Sequence, residues 1–172
     1  MKEGIARFRG FVGAVILAWA CGLPSALAAP GDLTLASDLV SDAAQARTRG
    51  VPLLILFSLP DCQYCDRVRR DYLLPLQGPR AGALPAILRQ VDLGSARPLK
   101  DFAGASTTHD AFARRNGITL APTIKIYDGE GHEAAEPLVG LLTPDLFGAY
   151  LEHALEKGHA RMTPGAGKPK AY

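Results

Sequence analysis

Cys62-Gln63-Tyr64-Cys65 places two thiols three positions apart, just past the point where an apolar run, Leu53 to Phe57, gives way at Pro60 to a helical pattern. At a helix start, unpaired backbone N–H groups and the positive end of the dipole favour an anion, so the first thiol gains thiolate character. Such a pair can close a small disulfide ring and open it again. Zinc sites and haem attachment sites share the spacing, so the neighbouring residues must discriminate. Haem attachment requires His directly after the second Cys, and Asp66 stands there. A zinc site requires two further ligands. Cys21 lies in an N-terminal apolar stretch, and no two of His109, His132, His153 and His159 have finger-like spacing. Redox exchange is the chemistry that the placement favours. An inert disulfide or a pair of buried thiols is the alternative.

The elements that must position this pair follow from periodicity. Ser37 to Arg49 predicts an opening helix with Leu39, Val40, Ala43 and Ala46 on one side, stopped by Gly50 and Pro52. Leu53 to Phe57 is continuously apolar, as a central strand buried on both faces requires. The thiol-bearing helix is expected from Cys62 to about Leu74, with Cys65, Val68 and Tyr72 inward, Arg67, Arg69 and Arg70 solvated, and Pro75 as its end. A loop rich in Pro and Gly, Pro75 to Pro85, leads to a strand over Ile87 to Leu93 that Arg89 and Gln90 weaken.

Gly94 to Thr107 reads as irregular. Thr107, with Asp110 three residues on, predicts the cap of a short helix through Arg115, closed by Asn116-Gly117. Thr123 to Tyr127 is a strand, Asp128 to Gly131 a turn, and Glu133 to Val139 a weaker returning strand. A last helix begins at Thr143-Pro144. Its apolar face is Leu146, Phe147, Tyr150, Leu151, Ala154 and Leu155, and Gly158 stops it. The order gives an α/β fold: a central mixed sheet, half parallel and half antiparallel, with helices on both faces.

Residues 1–28 read as a secretory signal: a basic start (Lys2, Arg7, Arg9), an apolar core from Phe11 to Leu23, and a small-residue cleavage site at Ala26-Leu27-Ala28. The core rises about 20 Å as a helix, short of the ~30 Å hydrocarbon layer, so a cleaved leader is expected rather than an anchor. Cleavage after Ala28 leaves 144 of the 172 residues, enough for one domain over 29–157. The leader removes three basic residues and one acidic residue, which leaves sixteen of each sign. Near-neutral charge offers no case for nucleic acid. An export compartment also permits disulfides. Residues 158–172 lack apolar periodicity and read as a flexible tail.

The chain resembles the thioredoxin superfamily, in particular its small exported members, over Ser37 to Lys157. Phe57 leading into Cys62-Gln63-Tyr64-Cys65, Leu120-Ala121-Pro122-Thr123 before a strand, and Asp128-Gly129 in the hairpin carry the likeness. It implies a thioredoxin-like fold and a cis peptide bond at Pro122. It also implies a docking edge at the backbone of Ala121 for an extended substrate chain, flanked by Tyr64. Three departures stand out: Asp61 where thioredoxins proper have Trp, Gln63-Tyr64 where they have Gly-Pro, and Leu56 where they bury an acid. Asp61, Asp66 or a water must then handle the proton of the second thiol. Because Asp61 and Asp66 oppose the dipole, only a moderate depression of the Cys62 pKa is expected.

The resemblance implies a monomeric periplasmic thiol–disulfide oxidoreductase in which Cys62 attacks and Cys65 resolves, without metal or organic cofactor. Its partners are proteins with disulfides or dithiols, and a membrane-bound thiol reductase is the implied electron donor. Tyr64 stands where oxidant members carry His, and the stretch ahead of Val51 is too short for an isomerase dimerisation domain, so a reductase is the leading form. The alternative is a non-catalytic thioredoxin-like module that binds peptide and keeps the disulfide as a staple. A copper or haem chaperone that uses the two thiolates is a third reading.

Overall fold

The computed structural model describes residues 32–77, 84–141 and 143–162. The leader over 1–28 and the last ten residues of the expected tail lie outside the described residues. Helix α1 spans Leu39–Arg49, capped by Asp38, whose carboxylate accepts from the Ser41 N–H at 2.9 Å. Gly50 closes it in the left-handed region at φ 64°. Strand β1, Leu53–Ser58, is buried at every position. Helix α2 begins at Gln63 and is α-helical only to Arg67. It then widens into a π-helical turn over Val68–Leu73 and tightens to a 3-10 turn over Leu74–Gln77. The expected single helix to Leu74 is therefore corrected, and Pro75 lies within the last turn instead of ending the element. The widened turn brings Leu73 fully into the core and leaves Tyr72 at its margin, its hydroxyl donating to the Pro144 carbonyl at 2.8 Å.

Strand β2 spans Ile87–Asp92, β3 Pro98–Lys100, β4 Ser106–Thr108, β5 Thr123–Tyr127 and β6 Leu138–Val139. Helix α3 is His109–Arg115 and α4 Pro144–Met162. One four-stranded sheet runs β2-β1-β5-β6, with β1 and β2 parallel and the other neighbours antiparallel. Leu54 and Leu56 face α2 and α4, where Val68, Leu73, Phe147, Leu151 and Leu155 pack. Leu53, Ile55 and Phe57 face α1 and α3, against Leu39, Ala46 and Phe112. The fold is the mixed α/β sandwich that the pattern implied, and β1 is apolar from Leu53 to Phe57 because both of its faces are covered.

Several local expectations are corrected. The stretch from Gly94 holds a hairpin, β3 paired with β4, whose only buried apolar side chain is Leu99; three-residue strands carry almost no alternation to read. The α3 cap is Thr108, which accepts from the Ala111 N–H at 3.2 Å, while Thr107 accepts from Arg115. Glu133 makes only an isolated bridge to Tyr127, and β6 is cut to two residues because Pro137 ahead of it has no N–H to give.

Helix α4 runs through Gly158 to Met162, so the tail does not start at Gly158. That glycine is buried, and a Cβ there would meet Ile126 Cγ2 at 2.8 Å and Pro52 Cβ at 2.9 Å. It is present for close packing rather than as a stop. Leu146 and Tyr150 are exposed, contrary to the expected face; the buried stripe is Phe147, Leu151, Ala154, Leu155 and Gly158. Arg89 does not spoil β2, because Asp42 of α1 accepts from its Nε at 2.9 Å and from its Nη2 at 2.6 Å.

Candidate functional site

Beyond β1 the chain leaves the sheet through Leu59-Pro60 and turns at Asp61, whose φ of 53° is the positive value of a non-glycine residue at a tight reversal. The turn delivers Cys62 in extended conformation as the residue capping α2. Its sulfur accepts from the Cys65 N–H at 3.1 Å, and its carbonyl accepts from Asp66 N–H at 3.0 Å. Cys62 and Cys65 form a disulfide, S–S 2.15 Å, with Cα atoms 5.2 Å apart. Cys62 is partly exposed and Cys65 fully buried, so attack from outside can reach only the first sulfur. An N–H aimed at that sulfur is the group that would hold a thiolate once the bond opens.

The second strand of the motif arrives at the same end of the sheet. Thr123 at the start of β5 pairs with Phe57 at the end of β1, which sets Leu120-Ala121-Pro122 abreast of the turn that carries Cys62. The Ala121–Pro122 peptide bond is cis. Thr123 Oγ1 donates to the Leu120 carbonyl at 2.8 Å, and the Pro122 carbonyl accepts from Gly140 N–H at 2.7 Å. Among the described residues, neither the N–H nor the C=O of Ala121 has a hydrogen-bond partner. Around this end lie three exposed apolar side chains, Leu59 (45 %), Tyr64 (55 %) and Leu120 (58 %). A rim of this kind suits transient contact with another protein.

Between α2 and the ends of β1 and β2 is a polar layer that sequence reasoning missed. Arg69, expected to be solvated, is turned inward with only 15 % of its side chain exposed. Its Nη1 donates to Asp66 at 2.7 Å, its Nε to Gln90 at 3.0 Å and its Nη2 to Ser58 Oγ at 3.3 Å. Gln90 in turn donates to Asp92 at 2.7 Å. The backbone N–H of Asp92 donates to Nδ1 of the fully buried His109, which leaves Nε2 to donate to the Ala36 carbonyl at 2.7 Å. Two signals were available: Arg69 stands four residues after Cys65, on the same side of the helix, and Gln90 is a polar residue in mid-strand. Among the described residues, no three His, Cys, Asp or Glu side chains gather as a metal site.

The family model for a thioredoxin-like domain matches residues 39–155. The chain belongs to the thioredoxin-like family. The match takes in both cysteines, the Ala121–Pro122 bond and all four strands of the sheet. Among solved structures, a thioredoxin from Thermus thermophilus is similar at 18 % identity and a TM-score of 0.50, over 75 % of this chain and 92 % of that one. The periplasmic thioredoxin SoxS from Paracoccus pantotrophus is 20 % identical with a TM-score of 0.41, over 62 % and 97 %. The C-terminal domain of Neisseria meningitidis DsbD is 20 % identical with a TM-score of 0.45, over 70 % and 99 %. No curated protein matches the sequence. A thioredoxin-like fold that holds a Cys-x-x-Cys disulfide at a helix start supports thiol–disulfide oxidoreductase chemistry.

Proposed function

We propose that the protein is an exported thiol–disulfide oxidoreductase that reduces disulfides in partner proteins. The observation that carries this reading is the asymmetry of the pair: Cys62 is reachable at the start of α2, and Cys65 is buried behind it. In the dithiol form, the Cys62 thiolate attacks one sulfur of the partner's disulfide and expels the other as a thiolate, leaving a mixed disulfide. Cys65 then loses its proton and attacks Cys62 Sγ. The Cys62–Cys65 disulfide forms, the partner leaves as a dithiol, and two electrons have passed to it.

The partner's extended chain would lie along Ala121, whose free N–H and C=O suit strand pairing, with Pro122 beneath it and Tyr64 and Leu120 on either side. Return to the dithiol requires a donor, and a membrane-bound thiol reductase is the class proposed. The basic, apolar and small-residue pattern of 1–28 supports a periplasmic location, and the domain acts as a monomer in this reading. No metal or organic cofactor enters the scheme.

Trapping tests the assignment of roles. Cys65→Ser, which cannot resolve, should accumulate a mixed disulfide through Cys62 with a disulfide-bearing peptide. Cys62→Ser should trap none. Trapping through Cys65 alone would reverse the roles. Absence of trapping by either variant would leave the non-catalytic binding module as the better account.

A further inference from the structure

Position 56 holds leucine where thioredoxins proper bury an acid, yet the sheet side of α2 carries a buried polar group, Arg69 with Ser58 and Gln90. We infer that Arg69 is a positioning residue that holds the thiol pair toward its thiolate form, acting from the buried side of α2. The inference rests on the thiol–disulfide reading above.

Arg69 follows Cys65 by four residues, so both point from the helix toward the sheet. Its guanidinium reaches acceptors on three different elements: Asp66 on α2, Ser58 on β1 and Gln90 on β2. Two of these acceptors are neutral. The third, Asp66, is 59 % exposed, so water weakens its charge and it offsets the guanidinium only in part. The positive charge is therefore fixed, and only partly offset on the inner side. Three carboxylates lie nearby: Asp61 from the turn before α2, Asp66 from α2 itself, and Asp92 at the end of β2, tied to Arg69 through Gln90; the other cations of this helix, Arg67 and Arg70, are exposed and paired with Asp71. Ser58 of β1 and the Leu120-Ala121-Pro122 segment bring no charge. Each carboxylate disfavours a thiolate, and Arg69 opposes them from a site where water screens least.

The sign follows. A group that favours the thiolate favours the dithiol over the disulfide, and so makes the couple more oxidising. Removing the guanidinium should raise the pH at which Cys62 is alkylated and move the glutathione equilibrium toward the Cys62–Cys65 disulfide. In that equilibrium two glutathione thiols give two electrons to the disulfide, yielding oxidised glutathione and the dithiol.

The experiment compares full-length wild type, Arg69→Met, Arg69→Lys and Asp66→Asn by iodoacetamide labelling of Cys62 across pH and by equilibration with glutathione. Arg69→Met should raise the labelling midpoint and lower the thiolate fraction below it about three- to tenfold. Arg69→Lys, which keeps the charge but not the fork, should restore most of that midpoint while remaining less stable than wild type. Asp66→Asn should move the midpoint down. A clamp that merely pins α2 to the sheet would give Met and Lys equal shifts and Asn none, and that pattern overturns the inference. Should Arg69→Met fail to fold, Asp66→Asn still decides, since an unchanged midpoint there overturns the inference too. A wild type whose disulfide does not equilibrate with glutathione overturns the oxidoreductase reading and the inference with it. A wild type that equilibrates normally beside an unshifted Arg69→Met overturns the inference alone.

Discussion

Leu56 of β1 lies beside Gln90 of β2 in parallel register, and both side chains face the layer of α2 and α4. The polar group on this face thus stands one strand away from the position where thioredoxins proper carry an acid. A carboxylate introduced by Leu56→Asp would be fully buried, with the Gln90 amide as its neighbour. Burial would raise its pKa, so the folded state would bind a proton that the unfolded chain releases above ~4. Stability relative to wild type should therefore fall as pH rises, with a small loss near pH 4 growing to about 2–4 kcal/mol at neutrality. Urea unfolding at several pH values measures this. The same variant should resolve a mixed disulfide faster near neutral pH if Cys65 is short of a proton acceptor. A loss of stability that does not change with pH would mean that the new carboxylate reaches water.

Gly158 gives a packing test. Its α-carbon faces Ile126 and Pro52 so closely that a methyl group must displace one of them. Gly158→Ala should cost about 1–3 kcal/mol by overpacking, outweighing the helix propensity gained. Thermal unfolding would show it. A stabilised Gly158→Ala would mean that α4 can lift from the sheet without loss.

Tyr127 is buried under Phe102, with ring centroids 4.8 Å apart, and its hydroxyl has no hydrogen-bond partner among the described residues. Desolvation, aided by the charge of Glu133, holds the phenol well above its usual range. Tyr127→Phe removes a polar atom that gains nothing from its place. It should leave stability unchanged or raise it by up to about 1 kcal/mol. A larger loss, measured by denaturant unfolding, would contradict this packing.

Asp38 caps α1, and the Ser41 N–H that it accepts, with Lys100 as a lesser contributor, holds its carboxyl below the usual range. A depressed folded-state pKa contributes stability above the unfolded value that is lost as pH falls through the folded one. Asp38→Ala should therefore be less stable than wild type at neutral pH, with the difference shrinking below about pH 4. A constant difference across that window would assign the effect to packing alone.

What the sequence disclosed was whatever a local pattern can carry. The continuous apolar run of β1, the cap and stop of α1, and the two cysteines at a strand-to-helix junction each follow from neighbouring residues. Arg69 was legible only in its spacing from Cys65; its partners, Ser58 on β1 and Gln90 twenty-one residues away, exist only once the strands are side by side. Gly158 misled for the same reason: a glycine near a helix end reads as a stop, and only the approach of Ile126 and Pro52 reveals its packing role. His109 looked like one more scattered histidine, and its two hydrogen bonds exist only because Ala36 and Asp92 come to either side of it in space.

The central claim is that the Cys62–Cys65 couple passes electrons to other proteins' disulfides, and reduction of insulin disulfides by the full chain tests it most directly. With dithiothreitol as electron source, the wild-type chain should shorten the lag before insulin precipitates, at catalytic amounts and over many turnovers. Cys62→Ser and Cys65→Ser should each run at the rate of dithiothreitol alone. A wild-type chain that is folded and fully reduced, yet no faster than dithiothreitol, would contradict the account.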